Sequence, residues 1–193
     1  MASDTRDRLI RSTSRLLSKQ GYGATGLNQV MTEAEAPKGS MYFHFPGGKV
    51  ELAAAAVDLF AERQTQRMDR YLSEHATVRD AVTAIFDAYI AHLDRTAYAE
   101  GCAVATVALD AAATHDELAE ATGRALRSWT DTFAAALEAE GRSPEQAHGL
   151  ATLILAAIEG TVVMAKGERS TEPIAATRDM LSAILDPEDR STP

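Results

Sequence analysis

TGLNQVMTEAEAPKGSMYFHFPGGK, residues 25–49, reads as two short helices joined by a tight turn. Thr25 is the candidate N-cap of the first helix, its hydroxyl placed to accept from the free N–H groups of the opening turn. Leu27, Val30, Met31 and Ala34 recur at helical spacing and give that helix one apolar face. Glu35-Ala36-Pro37 ends it, because proline has no backbone donor and turns the preceding residue away from helix. A second helix is expected over residues 38–45. Met41 and Phe45, four apart, face inward there. Lys38, Ser40, Tyr42, Phe43 and His44 cover most of what remains, a surface rich in aromatic, hydroxyl and cationic groups and free of acids. Pro46-Gly47-Gly48 stops the helix and Lys49 opens the next.

This is a helix-turn-helix pattern, and its second helix suits the major groove of duplex DNA. GSMYFHF followed closely by K-x-E-L, after VMTEAEAPK, resembles the TetR family of bacterial one-component repressors. Gly39, Tyr42, His44, Phe45, Lys49 and Leu52 fall where that pattern has them. FPGGK, one residue longer than the usual F-x-x-K, and the run Gly101 to Leu109 resemble the LmrA/YxaF-type branch. The likeness covers the first fifty or so residues strongly and the rest by layout. One departure is Glu35, where the family usually has glycine. Left-handed backbone suits glycine at that point, so the turn is expected to be strained or differently shaped.

The resemblance implies an all-α fold: an N-terminal three-helix helix-turn-helix DNA-binding domain at residues 1–48 and a C-terminal helical ligand-binding and dimerisation domain at 49–193. It also implies DNA roles with which the side-chain chemistry agrees. Thr25 and Tyr42 would bond phosphate, Lys49 would pair with one as a charge, and His44 would add a contact from the helix end. Lys38, Gly39, Ser40 and Phe43 would face bases, as lysine donates to guanine and an aromatic edge meets a thymine methyl. Asn28 would reach a base or a phosphate. For Phe43 and His44 the alternative is packing within the head.

The 193 residues are 46% hydrophobic and 24% charged, a globular composition with few aromatics and prolines. No run of alternating β-branched residues suggests a sheet. A single cysteine excludes an internal disulfide or a cysteine-cluster metal site. The five histidines show no i, i+4 pairing, and no metal or other cofactor is expected. MASDTRDRLIRS is too charged for a signal peptide, and the apolar run near 150–165 is short for a membrane span and interrupted by Glu159. A cytoplasmic, soluble protein is expected. The net charge of −9 argues against nucleic acid, but its distribution reverses that reading: residues 1–50 carry +3 and the remainder −12.

Along the chain, Asp4 or Ser3 can cap a first helix that runs to about Gln20, with Gly21 as its stop. Arg8, Arg11, Arg15 and Lys19 lie off its apolar stripe, lining DNA or simply solvated. Tyr22 is expected to pack in the small core. One long helix should run from Lys49 to about Tyr71, joining the two parts without a flexible linker, and another from Val78 to Arg95. An apolar stretch follows over Cys102 to Ala113, then a helix from His115 to about Glu140. Ser143 caps and Pro144 begins the next, which reaches about Lys166 and is apolar on most sides. A helix apolar all round must be covered all round, and a second subunit is the simplest cover. A last helix is expected from Ile174 to Leu185, with a polar, frayed tail after it. That makes about nine helices, and the TetR layout joins the last two to their partners in a four-helix bundle.

Phe86, Tyr89, Cys102, Leu109, Trp129, Phe133 and Met164 either line an effector cavity for a flat, apolar molecule or only fill a core. Glu159 either meets an arginine across a dimer, or meets a ligand, or points outward. Catalysis by Cys102 with His92 or His115 lacks any supporting dyad or triad spacing, so no enzyme is expected. The expected partners are a palindromic operator, a small apolar effector and a second copy of the chain. An effector-independent activator and a helical protein-interaction dimer are the rivals. Lys38→Ala should relax base preference, reducing binding to an operator more than to scrambled duplex; equal losses on both would reject its base-reading role.

Overall fold

In a computed structural model, residues 2–37 and 39–186 are described; Lys38 and the polar tail at 187–193 lie outside them. Nine helices are present among the described residues: α1 Ala2–Ala24, α2 Leu27–Glu33, α3 Ser40–His44, α4 Gly48–Glu74, α5 Val78–Arg95, α6 Ala103–Asp110, α7 Asp116–Ala139, α8 Pro144–Glu168 and α9 Glu172–Ile184. No strand occurs among those residues. Gly21, at φ +74°, interrupts α1 where a glycine stop is expected. The first-turn reading needs correction: α1 already begins at Ala2, so Asp4 is no cap and pairs instead with Arg8 one turn on, at 3.6 Å.

The helices gather into two compact units. Met1–Gln64 with Gly101–Arg127 forms one, and Thr65–Glu100 with Ser128–Pro193 forms the other. In the first unit α1 is the floor on which α2, α3 and α6 pack. Leu9, Leu16 and Leu17 of α1, Val30 of α2, Met41 and Phe45 at α3, Leu52 and Val57 of α4 and Val107 of α6 make its core. In the second unit α9 packs on α5 and α8. Its core includes Phe86, Leu93, Phe133, Leu137, Ile154, Ile158 and Ile174.

Local chemistry sets several helix ends. Ser143 accepts from the Gln146 N–H while the Gln146 side chain accepts from the Ser143 N–H, and Pro144 follows at the first helical position, completing a capping box for α8. Thr77 accepts from the Asp80 N–H to start α5. Cys102 caps α6 in the same manner, its sulfur 3.5 Å from the Ala105 nitrogen. Thr25 does not cap α2. The helix starts one residue later, at Leu27, with Gly26 in the cap position, and the Thr25 hydroxyl donates back to the Gly21 carbonyl at 2.6 Å.

α8 is apolar enough and long enough to cross a membrane by length and composition. Within the second unit it buries only one side, through Ile154, Ile158, Val162 and Ala165. Leu153, Val163 and Met164 remain exposed on it, as do Met180 and Ile184 on α9. Leu153, Ala157, Ala176, Thr177, Met180, Leu181 and Ile184 line a shallow apolar groove across the two helices.

The turn between α2 and α3 contains the strain expected of Glu35. Its φ is +49°, at the end of α2. The Glu35 N–H donates to the Thr32 carbonyl and the Ala36 N–H to that of Met31, the two bonds of a Schellman turn, whose left-handed position glycine usually fills. A side chain there costs about 1 kcal/mol. Glu35→Gly should therefore raise stability by about that amount. Urea denaturation with an unchanged m-value checks it; a lower midpoint would mean that the turn is not strained.

Candidate DNA-binding tip

A helix of five residues has no stability of its own, so α3 exists because two of its side chains, one within it and one at its C-cap, are anchored in the core. Met41 and Phe45 are each at most 1% exposed, and the Arg6 guanidinium lies 5.2 Å from the centroid of the Phe45 ring. Gly39 opens the helix at φ +95°, a left-handed conformation that a Cβ would strain, while the space where a Cβ would sit is open. Glycine is demanded here by backbone angle, whatever the groove asks of it.

With the inner side so fixed, the outer side is bare. Phe43 is 78% exposed and Tyr42 62%, unusual for aromatic rings on a folded chain. Phe43 and His44 meet edge to face, ring centroids 5.0 Å apart, and His44 is half-buried. Ser40, half-buried, donates its hydroxyl to the Pro37 carbonyl at 2.8 Å. Asn28 is exposed on α2, with Gln29 beside it. Around them Arg15 pairs with Glu33, and Gln20 bonds Gln29 and the Ala24 carbonyl, so α1 and α2 are tied by side chains as well as by core. Ser40, Tyr42, Phe43 and His44 thus sit together on one short helix.

Thr25 and Lys49 stand differently. Thr25 is 2% exposed and its hydroxyl proton is committed to Gly21, so a bond from that hydroxyl to phosphate requires Gly21 to be released. The Lys49 ammonium rests 4.1 Å from the centroid of the Tyr22 ring, a cation–π contact. Partial burial lowers the Lys49 pKa from its usual value, and the Asp110 charge pulls it back up. Tyr22, expected in the core, is half-buried, flanked by Lys49 and by His115, whose ring meets it edge-on at 5.3 Å between centroids. Sequence reading missed this cluster. Its one local signal is an aromatic residue set between two glycines.

The residues proposed to hold an effector divide. Phe86, Trp129 and Phe133 are buried in the second unit, with Tyr89 and Glu159 half-buried there. Met164 is 52% exposed on α8. In the first unit Cys102 is buried as the α6 cap, whereas Leu109 is 84% exposed, on the outer side of α6. Leu109 and Met164 therefore lie on the surface of the single chain, because the buried side of each helix is taken by other residues: Val104 and Val107 on α6, Ile158, Val162 and Ala165 on α8.

Residues 9–56 match the family described as bacterial regulatory proteins, tetR family, and residues 79–180 match the C-terminal domain described as transcriptional regulator LmrA/YxaF-like. The chain belongs to the TetR family. It is 30% identical over 182 residues to two Bacillus subtilis proteins, the uncharacterized HTH-type transcriptional regulator YxaF and the HTH-type transcriptional regulator LmrA. That alignment covers 94% of this chain, 95% of YxaF and 97% of LmrA. A regulatory protein TetR from Rhodobacter sphaeroides has the same fold at 20% identity, with a TM-score of 0.83 over 93% of this chain and 98% of its own. The protein is thus a TetR-family DNA-binding transcriptional regulator, and its relatives are named as regulators rather than enzymes.

The two sides of α3 should separate in stability measurements. Phe43→Ala should leave the melting temperature almost unchanged, as a solvent-facing truncation shifts stability by roughly 0.5 kcal/mol or less. Met41→Ala should cost about 2–5 kcal/mol. A Phe43→Ala variant as unstable as Met41→Ala would place the Phe43 ring in the core.

Proposed function

We propose that this chain is a homodimeric repressor that occupies a palindromic operator and is released by a small apolar effector. The observation that carries this reading is the bare aromatic face of α3, held rigid by Met41 and Phe45 on a tip whose charge opposes that of the rest of the chain. Residues 1–48 are the DNA-binding domain and 49–193 the effector-binding and dimerisation domain. Two tips related by a two-fold axis reach successive major grooves, roughly 34–36 Å apart or a multiple of that. Phe43, Ser40 and Gly39 meet base edges, together with Lys38. Tyr42, His44 and Lys49 hold phosphate, and Asn28 adds a contact from α2. Thr25 serves the tip through its bond to Gly21.

The dimer forms through α8 and α9. The exposed Leu153, Val163, Met164, Met180 and Ile184 support it, since a row of large apolar side chains facing water is unfavourable until covered. The effector enters among the second unit's aromatic residues, Phe86, Tyr89, Trp129 and Phe133. α4 runs unbroken from Gly48 to Glu74, and a shift along it changes the spacing of the two tips. The effector must then bind the spread state better than the DNA-fitting state. DNA and effector weaken each other's binding by the same factor. Such a protein works in the cytoplasm.

The test uses a duplex enriched from a random pool by the wild-type protein, and its scrambled counterpart. Phe43→Ala should lose discrimination between the two by about tenfold or more. Lys49→Ala should weaken both alike and flatten the log–log salt dependence by roughly 0.9 for each phosphate no longer neutralised. Binding by Phe43→Ala with discrimination intact would remove α3 from base reading.

A further inference from the structure

α6 and Gly101, two residues before it, are fastened to α1 by three polar bonds, all of them to main-chain atoms within four residues of the break at Gly21. The Gly101 N–H donates to the Ser18 carbonyl at 2.8 Å. The Thr106 hydroxyl shares its proton between the Leu17 and Ala103 carbonyls, each at 3.0 Å. The Gly23 N–H donates to the Asp110 carboxylate at 2.7 Å. Carbonyls in the turn before a helix break lack partners within the helix, and those of Leu17 and Ser18, just before Gly21, take theirs from Thr106 and Gly101.

Asp110 is the unusual member. It is the last residue of α6, the end at which the helix dipole disfavours an acid. Its carboxylate instead serves the turn Gly21-Tyr22-Gly23. A Cβ on Gly21 would come 2.9 Å from one of its oxygens, closer than side chains approach, and Gly21 also has the left-handed φ of +74°. The backbone angle alone demands glycine at position 21, and its missing Cβ leaves the room the carboxylate occupies. The Thr25 hydroxyl donates to the Gly21 carbonyl at 2.6 Å. Between these two bonds Tyr22 is presented edge-on to His115 and face-on to Lys49.

We propose that Asp110 is a positioning residue for DNA recognition. It clasps the Gly21-Tyr22-Gly23 turn to the end of α6 and so fixes the ring on which Lys49, the first cation of α4, is seated. The inference rests on the DNA reading given above and deepens it. The clasp is at the surface, where water competes for the carboxylate, so it governs where the turn lies more than how stable the fold is. It follows that α6 and the recognition tip move as one body, and that the seating of Lys49 is set from α6 rather than from α4 alone.

The decisive pair is Asp110→Ala, which removes the acceptor, and Asp110→Asn, which keeps an oxygen at the same distance without the charge. Both are measured on the duplex enriched by wild type and on its scrambled counterpart, with melting temperatures beside them. Asp110→Ala should lose about tenfold in affinity, the order expected for one charge-assisted bond, on the enriched and the scrambled duplex alike, as a displaced phosphate contact requires, with little change in melting temperature. Asp110→Asn should restore binding to within about threefold of wild type, a neutral acceptor keeping most of such a bond. If alanine does not fold, Asp110→Ser replaces it, since its oxygen is drawn back out of reach. Wild-type affinity for both duplexes in the alanine variant would overturn the proposal. So would equal losses in the alanine and asparagine variants, which would assign the effect to charge alone. A wild-type protein that enriches no duplex would instead overturn the DNA reading beneath it.

Discussion

Burial of Met41 and Phe45 is the constraint on which the recognition tip depends. Five residues cannot nucleate a helix in water, because fixing the first turn costs more than its few hydrogen bonds return. α3 is helical because its inner side chains are inserted in the small core over α1. Once they are, Tyr42 and Phe43 have no choice but to face outward, since residues one and two positions along a helix cannot share its inner face. Exposure of two aromatic rings is thus a consequence of anchoring two other residues.

The floor under that anchor is itself held from a distant part of the chain. The first compact unit is not the first third of the sequence: it takes in α6 and the beginning of α7. α1 meets α6 along its length through core residues, and the polar bonds from Gly101, Thr106 and Asp110 fasten the end of α1 where it turns into α2. The proposed division at residue 48 is drawn from the helix-turn-helix pattern, whereas compactness follows packing. The two need not coincide in a helical protein whose elements return to the same core.

Features written into adjacent residues were legible. α5 runs from Val78 to Arg95 as its periodicity indicates, Ser143-Pro144 starts α8, and Gly21 breaks α1. The helix-turn-helix, Glu35's left-handed backbone and the outward face of α3 were also readable, because each follows from spacing of three or four residues or from one backbone angle. Thr25 was misread because a hydroxyl near a helix start has two uses. It can cap the helix ahead or bond back to the one behind, and only the position of Gly26 decides. Leu109 and Met164 lie outside because a strongly apolar helix does not declare which of its apolar sides is inward. Asp110 and Gly23 are 87 positions apart and have no local pattern that joins them.

Hydroxyl-radical footprinting of the protein on DNA carrying its selected site tests the central claim most directly, since it reads where both tips touch the backbone at once. Two protected patches on one face of the duplex, related by two-fold symmetry and about one helical turn or a multiple apart, are the predicted result. A single unsymmetrical patch, or protection that spreads along the duplex without preference, would contradict a paired tip reading successive major grooves.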